Sequence, residues 1–93
     1  MFGKKKKEKA CTNLLESITS SEQTFSLYFS RIKDSIMQNE GNMLQVYQEI
    51  SFVISQDYGV KDHDVCNRVS VVLVTLVRNH ANNYNDLDFK YHG

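Results

Sequence analysis

Residues 22–59 read EQTFSLYFSRIKDSIMQNEGNMLQVYQEISFVISQDYG. This stretch decides the fold. Phe25, Phe29, Ile32 and Ile36 recur three and four residues apart, with Tyr28 at their border, which places them on one narrow face of a helix. Ahead of them, TSSEQ at 19–23 offers a helix start: Ser20 with Gln23, or Thr19 with Glu22, has the spacing of a capping box. Gly41 suits the left-handed position that ends such a helix. Asn42, with Gln45 three residues on, then caps a second helix whose apolar stripe is Met43, Val46, Tyr47, Ile50 and Ile54. Asp57-Tyr58-Gly59 closes it, again with glycine just past the end.

Working outward, Asp62-His63-Asp64 opens a third long helix, because acidic side chains suit a first turn whose N–H groups are unpaired. Val65, Val69, Val72, Leu73, Leu76 and His80 form its expected core face. The run VSVVLVTLV at 69–77 is rich in β-branched residues, so a buried strand competes there. The helical period and the lack of any strand to pair with favour helix. Upstream, Leu14, Leu15 and Ile18 mark a short leading helix over 10–18. The expected fold is all-α, a small three- to four-helix bundle over 10–93. A flexible basic arm, MFGKKKKEK at 1–9, precedes it, and a short extended tail carries DLDFKY at 86–91.

Composition narrows the function classes. A chain of 93 residues makes one domain and buries only about 60–65% of its unfolded surface. It has no proline and four glycines, which disfavours sandwiches and barrels of many short strands. Lys4, Lys5, Lys6, Lys7 and Lys9 against Glu8 give residues 1–10 a charge of +4, and the remainder carries −4. The lysine run is the candidate contact for phosphate or an acidic surface, but an acidic body is a poor nucleic-acid face. No apolar run approaches the roughly 18 residues of a membrane span, and no apolar h-region follows the lysines. The expectation is a cytoplasmic protein whose Cys11 and Cys66 stay reduced.

Catalytic and metal chemistry find little support. His63 and Cys66 lie three apart on a helix, but a structural zinc site needs four ligands, and the second pair is missing. A Cys66–His63 nucleophile would also need oxyanion donors that nothing in the sequence suggests. All four glycines are isolated, so no phosphate-cradling loop is present. The paired acids Asp62/Asp64 and Asp86/Asp88 diverge on a helix. No cofactor, no metal and no enzymatic activity are expected.

The surplus of apolar side chains says more. Leu44 and Phe52 lie about 100° or more from the stripe of their helix, Val71 and Val74 occupy a side expected to be polar, and Leu27 lies opposite Phe25 and Ile36. A bundle this small cannot hide every side of every helix. Phe52, Val71, Val74, Leu44 and Leu27 are therefore the candidate contacts with another protein or with a second copy of the chain. The tail can place Leu87, Phe89 and Tyr91 on one face and dock on its own bundle or on a partner's sheet edge.

The expected function is a small non-catalytic interaction module: an adaptor, inhibitor or immunity-type regulator of the sort phages and mobile elements encode. Small four-helix immunity proteins are similar in size and architecture, a similarity at the level of fold alone. The alternative is a nucleic-acid-associated regulator using the lysine run. A small enzyme or metal protein centred on His63 and Cys66 is the third reading.

Overall fold

The computed structural model describes residues 2–83, with side chains over 6–80. Four helices follow one another: α1 (Phe2–Thr19), α2 (Glu22–Gln38), α3 (Met43–Tyr58) and α4 (His63–Asn83). No strand occurs among the described residues, and the valine-rich run lies wholly within α4. The expected tail over 84–93 lies outside the described residues.

Local chemistry explains the boundaries. Ser21 caps α2 by accepting from the Thr24 N–H at 3.3 Å, one residue later than the Ser20/Gln23 box suggests. Asn42 caps α3 through its side chain, which accepts from the Gln45 N–H at 3.4 Å. Asp62 Oδ1 accepts from the N–H groups of Asp64 at 3.0 Å and Val65 at 3.4 Å, which opens α4. At the end of α2 the chain reverses through two left-handed residues, Glu40 at φ 52° and Gly41 at φ 81°. The Gly41 N–H reaches back to the Ile36 carbonyl at 3.0 Å. Gly59, at φ 64°, ends α3.

The first helix begins at Phe2, well before the expected start near residue 10, so the lysine run lies on its opening turns. Lys7 is the tie: its Nζ stands 3.3 Å from Asp64 Oδ2 and 3.8 Å from Asp62 Oδ2, at the start of α4. Farther along, the Cys11 thiol approaches the Val65 carbonyl at 4.0 Å, so α1 climbs beside α4 in the same direction.

The core gathers around α4, which touches all three other helices, while α1 and α3 do not meet. Leu14 and Ile18 of α1, Tyr28 and Ile32 of α2, and Val46, Ile50 and Ile54 of α3 close on Val65, Val69, Leu73 and Val77 of α4. Contact on several sides widens the buried arc of α4 to about 180°. Two expectations are corrected as a result. Val74, expected at the surface, is 0% exposed, and Val72 and Leu76, assigned to the core, are partly exposed. Cys66 and Ser70 fill the same arc, and the Ser70 hydroxyl is satisfied by the Asn67 carbonyl at 2.7 Å.

Polar ties fix α2 on α3. Tyr28 donates to Asp57 Oδ2 at 2.7 Å, and Ser35 with Asn39 holds Glu49, with Asn39 Nδ2 2.8 Å from Glu49 Oε2. Phe29 meets the His80 ring edge-on at 5.4 Å, joining α2 to the last turn of α4.

Candidate functional site

α3 and α4 are antiparallel neighbours joined by the short 59–62 turn, and their outer sides form one continuous face. A shallow groove of about 590 Å³ runs between them, bordered by Gln48, Ser51, Phe52, Ser55 and Gln56 of α3 and by His63, Asp64 and Asn67 of α4. Core packing determines what points there. Val46, Ile50 and Ile54 turn one stripe of α3 inward, which leaves Phe52 facing out at 65% exposure. Leu44, two turns earlier, is exposed to the same degree. Val71 lies one turn beyond Asn67 on α4 and is partly exposed. Ser55 is anchored by donating to the Val60 carbonyl at 2.8 Å, which steadies the end of the groove near the turn.

Phe52, Leu44 and Val71 thus share the α3–α4 face. Leu27 is also strongly exposed, but it sits on α2 beside Gln23, apart from that face. Val74 belongs to the core and leaves the candidate set. Met37 on α2, 68% exposed, is not among the sequence candidates. It lies about 110° from the centre of the Phe25/Ile36 stripe, the same kind of offset that marks Leu44 on α3, so the signal was present in the sequence. Val72 lines a second groove with Cys11 and Leu15 of α1, on the opposite flank of α4.

The lysines divide. Lys6 and Lys9 are exposed on α1, and Lys7 is turned to the acidic start of α4. The Lys4 and Lys5 side chains lie outside those described. Lys7 donating to Asp64, with the Arg68 guanidinium nearby, holds the Asp64 carboxyl below the usual carboxylate range.

His63 and Cys66 point to different surroundings. His63 faces the groove, whereas Cys66 is fully buried with its thiol 3.8 Å from the Val60 carbonyl. Burial pushes both the Cys66 and the Cys11 thiols upward, away from the thiolate a nucleophile or a zinc ligand requires. Among the described residues no three His, Cys, Asp or Glu side chains converge in an arrangement that would hold a metal ion. No described helix is long and apolar enough to cross a membrane. Comparison with protein-family models, curated proteins and solved structures finds no match.

Proposed function

We propose that this chain is a small protein-interaction module, an adaptor, inhibitor or immunity-type regulator, that works by covering a protein surface with its α3–α4 face. The supporting observation is Phe52, an aromatic ring 65% exposed at the edge of a groove whose other described borders are mostly uncharged. Exposed aromatic side chains amid neutral polar ones resemble the centre of a binding patch, where aromatic anchors dominate and charge is depleted. Leu44 and Val71 extend the patch along both helices. Catalysis plays no part in this reading. The nucleic-acid alternative is less well supported, because Lys7, in the middle of the basic run, already serves Asp62 and Asp64.

Phe52→Asp tests the proposal. The solution mass and the proteins captured from the native host are compared for the wild-type chain and the variant. Circular dichroism confirms that the variant stays folded. Loss of an association on substitution supports the proposal. A variant that keeps every association of the wild-type chain overturns it, as does a wild-type chain that stays monomeric and captures nothing.

A further inference from the structure

We infer that the occupant of the α3–α4 face is a second copy of the chain, packed antiparallel about a twofold axis beside Val71. The inference rests on the proposal that this face binds protein. Its particular support is the order of residues along the outer stripe of α4. Asp64, Val71 and Arg78 are seven residues apart, so they fall within about 40° of one another around the helix. The stripe carries Asp64, already shared by Lys7 and Arg68 of its own chain, at one end, an apolar side chain in the middle and a basic one at the other. A twofold axis at its centre sets Asp64 of each copy against Arg78 of the other, with the two Val71 side chains meeting between them. An isologous interface requires this self-complementarity, because each patch must fit itself after rotation. Parallel in-register packing would instead oppose like charges at both ends.

The local chemistry is ready for that arrangement. Arg78 is exposed and has no partner among the described residues. Lys7 and Arg68 both address Oδ2 of Asp64, which leaves Oδ1 with acceptor capacity for a guanidinium. Between the charged ends the stripe carries Asn67, Val71 and Thr75, flanked by Ser51 and Phe52 of α3 on one side and by Arg68, which is turned to Asp64, on the other. Removing such neutral groups from water costs far less than removing charges. Size sets the strength. α3 spans about 24 Å, and two helices each about 10 Å across make the face about 20 Å wide, a footprint of roughly 500 Å². Two copies then bury roughly the 1,000 Å² at the lower limit for a specific interface, which implies a reversible dimer.

Sedimentation equilibrium of the full chain, together with site-directed crosslinking, tests this. The wild-type chain is expected at twice its monomer mass at high micromolar concentration. Phe52→Asp and Arg78→Glu are each expected to lower the association constant tenfold or more while the helical circular dichroism stays unchanged. Val71→Cys, in a Cys11→Ser background, is expected to form a covalent dimer under glutathione disulfide at least tenfold faster than Glu16→Cys, which lies on α1. Disulfide formation needs Cβ atoms within about 4.5 Å, so it reports the register directly. A wild-type chain monomeric throughout, a dimer indifferent to both Phe52→Asp and Arg78→Glu, or crosslinking at residue 71 no faster than at residue 16 overturns the inference. If the chain is monomeric yet captures another protein in a Phe52-dependent way, the second copy is excluded while the face keeps its proposed role.

Discussion

The phenol of Tyr28 donates to Asp57 Oδ2 at 2.7 Å, joining the middle of α2 to the last turn of α3. Tyr28 is buried, while Asp57 is exposed. Tyr28→Phe keeps the ring in the core and removes the bond, so it should cost about 1–2 kcal/mol in urea unfolding. Burial and the Asp57 carboxylate push the phenol pKa well above its ordinary value near 10. Because the folded pKa is raised, this contribution is fully present below about pH 10 and is lost as pH rises beyond it. Between pH 10 and 11.5 the wild-type chain should therefore lose stability more steeply than Tyr28→Phe. Equal slopes would show that Tyr28 and Asp57 are not coupled.

Val74 and Phe52 separate core from surface. Val74 is 0% exposed, so Val74→Asp places an unpaired charge among Leu73, Val77 and their neighbours. A charge in that environment costs several kcal/mol, enough to unfold a domain of this size. Phe52→Asp should change stability by no more than about 0.5 kcal/mol, since the ring faces outward. Thermal melts followed by circular dichroism should show a cooperative transition for Phe52→Asp and none for Val74→Asp.

That pair also shows how far the sequence could be read. The α3 stripe, the Asn42 cap and the Gly59 stop were legible, because each depends on residues within a few positions of one another, whereas of the α2 stripe only Ile32 is fully buried, with Phe25, Phe29 and Ile36 partly buried and Tyr28, at the expected border, in the core. The buried side of α4 was displaced by roughly 65°. A periodic stripe locates the face toward one neighbour, but α4, like α2, packs against three, and only the tertiary arrangement shows that Cys66, Ser70 and Val74 are enclosed as well. The early start of α1 escaped for a similar reason. Adjacent lysines repel as an isolated segment, and what holds Lys7 is an acidic turn more than fifty residues away. Of the candidate contacts, Phe52, Leu44, Leu27 and Val71 remained at the surface because they lie off the stripes that the core uses.

Gly59 offers a test of backbone geometry alone. Its φ of 64° is left-handed, and a Cβ there would meet nothing within 4 Å. Gly59→Ala should therefore cost about 1–2 kcal/mol from conformation, without steric damage to α3 or α4. Gly59→Asn should cost less, because asparagine tolerates this region better. Urea unfolding of the two variants checks the order. A larger loss for asparagine would mean that the α3–α4 turn is governed by something other than φ.

The Lys7–Asp64 contact decides whether the opening turns of α1 are docked on α4. Asp64 titrates below the ordinary carboxylate range first because Lys7 donates to it and then because Arg68 is near. A depressed carboxyl contributes stability that is present above the ordinary carboxylate range and lost as pH falls through the folded value. Lys7→Ala should therefore move the Asp64 pKa upward, though not fully to the ordinary value, since Arg68 stays in place. Lys7→Glu should move it further, by setting a like charge beside Asp62 and Asp64. Both shifts should shrink at high salt, because the site is open to solvent. Carboxyl-detected NMR titration measures them directly. An Asp64 that titrates identically in wild type and Lys7→Ala would mean that Lys7 does not reach α4, and that the α1–α4 packing begins only at Cys11 and Leu14.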